Sequence, residues 1–316
     1  MIWSWLVALL LGMGIIYLSQ LCYYIAFHSI TEKAEDLYDI PPGKQYEAVA
    51  DRLRQMIDSA RELPFELVMI TADDGEHLAA RYYHFHDNAP VQILLHGYRS
   101  NSLREFSGSY PLAKQLGYNV IVVDERGHGY SGGSTISFGI RERYDCLQWS
   151  KYAAKRFGED TPIFLTGVSM GAATVLMASE LKLPGNVKCI VADCPYSSPK
   201  AIIQKVSLDV KLPPALSYPF VMLGALLFGK FKLWESSPVK AVRNATIPIL
   251  LLHGEDDRFV PCSMSREIFQ ACRVSAQLET FPNAGHGLSY LTDSSRYQKI
   301  LEDFLDRCGV LCKRNP

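Results

Sequence analysis

The sequence predicts an α/β fold in which a mostly parallel central sheet is covered by helices on both faces. Short, continuous apolar runs alternate along the chain with helical patterns, as buried parallel strands and their connecting helices do. Polar residues that carry chemistry stand directly after several of these runs, at the strand ends where such sheets place their active sites. A charge-free stretch at the N-terminus precedes this body.

The composition fits a chain with a sizeable core. Hydrophobic residues make up 48% of the 316 residues, too many for a disordered chain. The formal net charge is −1 and no long basic run occurs, so nucleic acid is not expected as a partner. The eight cysteines have neither the density of a disulfide scaffold nor C-x-x-C spacing, so we expect reduced cysteines in apolar surroundings.

Residues 1–28 are predicted to be a retained single-pass transmembrane anchor. Residues 1–27 contain no charged side chain, and about 20 apolar residues suffice to span a bilayer. Trp3 and Trp5 lie near one end and Tyr23, Tyr24 and Phe27 near the other, as interfacial anchors do. A cleaved signal peptide and a buried helix are the alternatives, but no basic n-region or small-residue cleavage site is evident. The lysines that follow the span and the unpaired cysteines favour a cytoplasmic position for the rest of the chain.

Residues 29–64 are predicted to link the anchor to the body. Pro41-Pro42-Gly43 forms a break, and residues 46–64 have the pattern of a short amphipathic helix. The body then begins with two paired strands, in residues 65–72 and 77–85, around the turn Asp73-Asp74-Gly75.

Six further apolar runs predict the parallel strands. They lie in residues 91–97, 118–129, 162–169, 187–195, 247–257 and 276–287, and helical patterns separate them around residues 104–116, 138–157, 170–182, 263–273 and 294–307. One segment breaks this rhythm, since about fifty residues (197–245) separate two neighbouring runs. Its charge-free part, residues 212–229, contains three prolines and predicts a cap with an apolar underside over the site. A second membrane span and an ordinary buried helical excursion are the alternatives.

The sequence Gly167-Val168-Ser169-Met170-Gly171 follows one apolar run and precedes a helical pattern. It fits G-x-S-x-G, a sharp strand-to-helix turn that lifts a serine hydroxyl above the sheet. The glycines are expected because side chains would collide within such a turn. Ser169 is therefore the candidate nucleophile, with a purely structural turn as the alternative.

A nucleophilic serine needs a base and an acid that orients the base. His286 follows the last apolar run and is the candidate base. Glu255, Asp256 and Asp257 follow the preceding run, and any of them can serve as the acid in the chain order Ser, Asp, His. A solvated turn or a metal site is the alternative for this acidic trio, but clustered partner ligands are lacking and no metal is expected.

The residue after His96-Gly97 can supply a backbone N–H to an oxyanion, which makes Tyr98 one candidate donor. The N–H of Met170, directly after the serine, is the second. His96 itself is expected to hold the turn.

These stretches resemble the α/β-hydrolase superfamily, and within it the serine aminopeptidase and monoacylglycerol-lipase-like branch with its bacterial membrane-anchored or cell-surface hydrolases. The matching stretches are LLHGYRSN, VIVVDERGHGYSGG, GVSMGAATVL, VADCPYSS, ESSPVKAV, ILLLHGEDDRFVP and NAGHGLSY, within residues 66–307. The resemblance implies a catalytic domain over residues 65–312, with the cap at about 197–245.

The resemblance also narrows the site. Its H-G-x-x-D-x-x-V-P pattern falls on residues 253–261 and selects Asp257 as the acid. It implies that Tyr98 and Met170 form the oxyanion hole and that Asp124, Arg126 and His128 are structural. It favours the outer face of the cell membrane for the catalytic domain.

Together these observations predict a membrane-anchored serine hydrolase that cleaves carboxylic esters with a short or medium acyl chain. A serine peptidase of the same fold is the enzymatic alternative. A non-catalytic binding protein on the hydrolase fold is the alternative from another class, although such proteins usually lack a triad residue. No cofactor is expected; the acyl chain length and the oligomeric state are left open.

Overall fold

The computed structural model describes residues 1–29, 38, 40 and 43–311. The predicted break at Pro41-Pro42 and the predicted domain end at residue 312 lie outside these residues. Eight strands form one sheet in the order β1-β2-β4-β3-β5-β6-β7-β8. They are β1 (Glu66–Thr71), β2 (His77–Tyr83), β3 (Val91–Leu95), β4 (Asn119–Asp124), β5 (Ile163–Val168), β6 (Val187–Asp193), β7 (Ile249–Gly254) and β8 (Ala276–Phe281).

The sheet confirms the predicted fold class. β1 pairs with β2 and β2 with β4 in antiparallel fashion, and the remaining neighbours are parallel. The central strands read as continuous apolar runs because both of their faces are buried. In β3, for example, Ile93 joins the hydrophobic cluster on one face and Leu94 the cluster on the other.

Helices cover both faces of the sheet. The described residues form α1 (Ile2–Ala26), α2 (Lys44–Glu47), α3 (Ala50–Arg61), α4 (Ser102–Phe106), α5 (Ser109–Leu116), α6 (Glu142–Phe157), α7 (Met170–Ala178), α8 (Pro199–Asp209), α9 (Pro214–Leu227), α10 (Pro238–Ala241), α11 (Ser263–Ala271), α12 (Ser289–Thr292) and α13 (Ser294–Arg307). Side chains of α6, α7 and α11 pack in the cluster on one face. Side chains of α3, α4, α5 and α13 pack in the cluster on the other.

The helix predicted around residues 104–116 is two helices, α4 and α5. The chain turns at Gly108, where a Cβ atom would lie 2.5 Å from the Tyr290 ring. The helix predicted from residue 138 begins at Glu142, because the Glu142 carboxylate accepts the backbone N–H groups of Ser137 and Gly139 instead.

The N-terminal helix α1 is long and apolar enough to cross a membrane by its length and composition. Its first 18 residues are largely exposed, whereas Ser19, Tyr23 and the following Phe27 are buried against the body. Phe27 lies between the rings of Phe138 and Phe231, at centroid distances of 5.6 and 5.2 Å. The last residues of the predicted anchor therefore pack on the catalytic body, although we expected the anchor to be separate from it up to residue 28.

The 197–245 insertion contributes α8, α9 and α10. The 14 residues of α9 are too few for a span, which needs about 20. α9 packs on α1, and its Gly224 permits a close approach, since a Cβ atom there would lie 2.4 Å from the Ser19 carbonyl oxygen.

Candidate active site

Ser169 occupies a strained turn between β5 and α7. Its φ and ψ angles are +54° and −111°, a conformation that L-residues rarely adopt. The glycines on either side permit it because the backbones nearly touch. A Cβ atom on Gly171 would lie 1.9 Å from the Leu95 carbonyl oxygen, and one on Gly167 would lie 2.2 Å from Gly171. The turn leaves the Ser169 hydroxyl beyond the carboxyl end of the sheet.

The structure brings Ser169, His286 and Asp257 together in one hydrogen-bonded row. Ser169 Oγ lies 2.9 Å from His286 Nε2, and His286 Nδ1 lies 2.6 Å from Asp257 Oδ2. The three residues come from the loops after β5, β7 and β8. This row can move a proton from the hydroxyl to the imidazole, and the carboxylate can stabilise the resulting imidazolium.

Asp257 is held as a carboxylate. Burial alone would raise its pKa, but hydrogen bonds from His253 and His286 outweigh burial and hold the pKa well below the usual range of an aspartate. Its Oδ1 also accepts the backbone N–H groups of Phe259 and Val260, at 2.9 and 2.8 Å. Asp257 therefore stays ionised and fixed at neutral pH. The two other acids of the trio, Glu255 and Asp256, are exposed and lie outside this row.

The loop after β3 passes beside Ser169. A Cβ atom on Gly97 would lie 3.4 Å from Ser169 Cβ, and the Gly97 N–H donates to Glu105 Oε2 at 2.7 Å. The backbone of Tyr98 follows directly. Met170 is the first residue of α7, so its N–H has no acceptor within the helix.

His96 holds this loop from below. Its Nδ1 lies 2.8 Å from the Gly97 carbonyl oxygen, and its Nε2 accepts the Glu125 N–H at 3.0 Å. Burial and the neighbouring His128 lower its pKa far below the usual range, which keeps the imidazole neutral. His128 in turn accepts the Arg99 N–H, and Arg126 pairs with Asp145 at 2.6 Å. These side chains support the loop from beneath.

The same loop contacts the end of α1. Tyr98 Oη donates to the Ala26 carbonyl oxygen at 3.0 Å, and Arg99 donates to the carbonyl oxygens of Ile25 and His28 at 2.9 and 3.0 Å. Burial raises the pKa of Tyr98 to about 12, so the phenol remains a donor. The last carbonyl groups of α1 are thereby satisfied by the candidate oxyanion loop.

A cavity of about 450 Å³ opens beside Ser169 and His286. Its lining is mainly apolar and comes from α3, α4, α5, the loop after β7 and the segment after β8: Leu53, Met56, Phe106, Leu112, Phe259, Leu288, Tyr290 and Leu291. Among the described residues, none of the 197–245 insertion lines this cavity. We expected the insertion to supply an apolar cap over the site. Helix α3, in the predicted linker, lines the cavity instead.

Tyr46, just before α3, reaches the site as well. Its Oη donates to the His286 carbonyl oxygen at 2.9 Å, so the linker holds the histidine loop. Nothing in the local sequence indicated this role, because Tyr46 and His286 lie 240 positions apart.

The sequence profile of the prolyl oligopeptidase family (Peptidase_S9) matches residues 104–310, which include Ser169, Asp257 and His286. The chain belongs to the prolyl oligopeptidase family. Its predicted membership of the α/β-hydrolase superfamily is thereby confirmed.

Two curated relatives show how far the similarity extends within this superfamily. The uncharacterized protein YqkD of Bacillus subtilis is 28% identical over 233 residues, which cover 73% of this chain and 74% of that protein. Lysophosphatidylserine lipase ABHD12 of Rattus norvegicus is 23% identical over 231 residues, which cover 70% of this chain and 56% of the lipase. The match thus spans little more than half the length of that lipase.

Solved structures share the fold. The esterase Pf2001 of Pyrococcus furiosus aligns with a TM-score of 0.62 and 22% identity, over 79% of this chain and 93% of the esterase. Est1E of Butyrivibrio proteoclasticus aligns with a TM-score of 0.57 and 19% identity, over 77% of this chain and 98% of Est1E. The family indicates a hydrolase, and these neighbours show its α/β fold.

Cys194 also lies at the candidate active site, although nothing in the sequence indicated it. It has a φ of +47° and is fully buried. Ligand atoms of Cys194, Asp257 and His286 lie within 4.8 Å of one another, close enough to share a metal ion. A metal there would compete with the bond between His286 and Asp257. Burial raises the pKa of the Cys194 thiol well above its usual value, which disfavours the thiolate that a metal requires.

Proposed function

We propose that this chain is a membrane-anchored serine hydrolase that cleaves carboxylic esters through an acyl-enzyme. The observation that carries the proposal is the hydrogen-bonded row of Ser169, His286 and Asp257 beside an apolar cavity. A non-catalytic binding protein would have no need of a strained serine turn aligned with a histidine and an ionised acid.

In the proposed reaction Ser169 Oγ attacks the acyl carbonyl carbon while His286 Nε2 takes the hydroxyl proton. The negative charge on the carbonyl oxygen is bound by the backbone N–H groups of Tyr98 and Met170. His286 then gives its proton to the leaving alkoxide as the C–O bond breaks. A water molecule, deprotonated by His286, attacks the acyl group on Ser169, and His286 returns the proton to Ser169 Oγ as the carboxylic acid leaves. Asp257 holds the imidazole in the tautomer that each step requires.

The cavity favours an acyl substrate without a positive charge. Glu105 and Asp193 are the carboxylates that line it among the described residues. Glu105 already accepts the Gly97 N–H, and Asp193 accepts the Ser289 hydroxyl at 3.2 Å. Both carboxylates are thus already hydrogen-bonded within the protein. The volume suits a short or medium acyl chain, since ligand pockets begin at about 300 Å³.

A peptidase is the second candidate, because the matching family is named for prolyl oligopeptidases. An ester substrate draws support from the relative named as a lysophosphatidylserine lipase and from the neighbours named as esterases. For the anchor, the support is the length and apolarity of α1. We propose that it holds the catalytic domain on the outer face of the cell membrane.

Labelling with a fluorophosphonate probe tests the proposal. The full-length protein in detergent is compared with Ser169→Ala and His286→Ala, and hydrolysis is measured for p-nitrophenyl esters from acetate to palmitate and for aminoacyl and prolyl p-nitroanilides. We expect labelling that both substitutions abolish, ester turnover that peaks at one chain length and little amide turnover. Absence of labelling in a folded wild-type protein would refute the serine-hydrolase proposal, and faster turnover of an anilide would replace the ester with a peptide.

A further inference from the structure

The outward side of α9 carries a stripe of apolar side chains that the proposed chemistry does not use. Leu216, Phe220, Leu223 and Leu227 recur at the spacing of one helix face and are exposed or half-buried, with Leu216 68% exposed. Exposed apolar side chains continue on either side of α9: Leu208, Val210, Leu212 and Trp234. We call this set the α9 face. An exposed apolar surface of this extent is typical of a site that binds a membrane or another protein.

The α9 face lies next to the proposed membrane span. The neighbouring side of α9 packs on the last turns of α1, where Gly224 meets the Ser19 carbonyl group and the Phe228 ring lies 6.1 Å from the Tyr23 ring. Residues 1–18 of α1 extend beyond this contact and are largely exposed. α9 is therefore fixed where α1 leaves the body.

The depth of that contact follows from helix geometry. A helix rises about 1.5 Å per residue, so a hydrocarbon layer of about 30 Å takes about 20 residues. A span that begins at Ile2 ends near Leu21, beyond Ser19. The side of α9 that touches Ser19 is then at the boundary between the acyl chains and the headgroups.

The charges around α9 fit the same position. No charged residue occurs from Leu212 to Gly229, while exposed Lys211, Lys230 and Lys232 flank this stretch. Lysines beside an apolar segment reach the headgroup layer with their ammonium groups. At 14 residues α9 covers about 21 Å, too short to cross the bilayer but suitable for a helix that lies in its surface.

We infer that the α9 face is embedded in the bilayer surface beside α1, so that the catalytic body lies against the membrane rather than hanging from a flexible tether. The inference rests on the membrane-anchor part of the proposed function. It bears on the substrate too, because Tyr98 lines the cavity and is bonded to the Ala26 carbonyl group at the end of α1. The acyl substrate is then an ester already dissolved in the lipid layer. A second copy of the chain is the competing occupant of the face, but a protein partner would not explain why the face adjoins the span.

Tryptophan quenching by lipid tests this placement. The full-length protein carries Trp3→Phe, Trp5→Phe and Trp234→Phe, which leaves Trp149 buried in the core. Leu216→Trp then places a reporter on the α9 face, and Met69→Trp places a matched reporter at an exposed position of the edge strand β1. Each protein is reconstituted in phosphatidylcholine and phosphatidylglycerol vesicles with ordinary or brominated acyl chains. Fluorophosphonate labelling of each sample measures the folded, active fraction.

Brominated lipid should lower the emission of the Leu216 reporter roughly twofold and leave the Met69 reporter within about a tenth, because a surface helix buries its apolar side about 5–10 Å deep. A parallel sample that keeps Trp3 and Trp5 reports on α1 itself. Quenching of Trp3 and Trp5 without quenching at Leu216 would overturn the inference while leaving the anchor intact. Absence of quenching at all these sites would overturn both, whatever the labelling shows. An unquenched Leu216 reporter in a protein that is dimeric in detergent would assign the face to a second copy.

Discussion

Replacing Asp257 with asparagine should abolish activity by changing the tautomer of His286. Asp257 Oδ1 accepts two backbone N–H groups, from Phe259 and Val260, so the oxygen of an asparagine amide must take that place. Its NH₂ group would then stand where Oδ2 lies, 2.6 Å from His286 Nδ1. The imidazole must accept there and carry its proton on Nε2, toward Ser169. In that tautomer it cannot take the serine proton.

The expected loss in kcat is about 10⁴-fold, the cost of the wrong tautomer in serine hydrolases, or about 5 kcal/mol at 1.36 kcal/mol per tenfold. Hydrolysis of p-nitrophenyl butyrate by the full-length protein in detergent measures it, with thermal unfolding as the check on folding. Asp256→Asn and Glu255→Gln are the matched controls, since both residues are exposed acids of the same loop, and they should stay within about twofold of wild type. The reasoning fails if a folded Asp257→Asn protein keeps more than about a tenth of the wild-type kcat, or if Asp256→Asn loses as much.

Three further predictions concern the surroundings of the site. Burial holds the pKa of Asp193 at about 6 against 3.8 for a free aspartate, so the folded state binds the extra proton and the stability falls as the pH rises from about 4 to 6. Asp193→Asn should remove this slope and raise the free energy of unfolding at pH 7 by about 3 kcal/mol. Urea unfolding at pH 4 and pH 7 measures both effects. A variant that keeps the wild-type dependence on pH would contradict the prediction. Met56→Trp should shorten the cavity and lower kcat/KM for the octanoate ester about tenfold, with the acetate ester unchanged, because each excluded CH₂ costs about 0.8 kcal/mol. An unchanged dependence of kcat/KM on chain length would show that Met56 does not line the acyl pocket. Tyr98→Phe loses the hydrogen bond to Ala26, which should lower the free energy of unfolding by about 1 kcal/mol and the melting temperature by about 2 °C. A full-length variant that melts like wild type would show that this bond does not stabilise the protein.

Local patterns were sufficient to predict the strands and the side chains at their ends. A central strand such as β3 must be apolar throughout because helices cover both of its faces, and the turn at Ser169 must have glycines because the Leu95 backbone passes within contact of it. The short distance between residues 257 and 286 follows from the parallel pairing of β7 with β8, which brings both loops to the same edge of the sheet.

Contacts between distant segments could not be predicted in the same way. The amphipathic pattern of α3 indicates that one of its faces is buried, but not that Leu53 and Met56 line the cavity. The charge-free stretch in the insertion suggested a cap over Ser169. Its helix α9 packs instead on α1, and the only mark of this in the sequence is Gly224 within a helix, where a glycine is otherwise unfavourable.

The contact between α1 and the loop of Tyr98 bears on how the enzyme can be studied. A protein cut near residue 45 would lose Phe27 and uncover the rings of Phe138 and Phe231, and the donors of Tyr98 and Arg99 would lose their carbonyl partners. Water can satisfy those donors once α1 is gone, but a Phe removed from a core costs about 3–5 kcal/mol, a large part of the stability of a typical protein. Loss of activity in such a truncated protein would therefore report on the missing helix and not on the role of Ser169. Only the full-length chain, with α1 in detergent or lipid, separates the two.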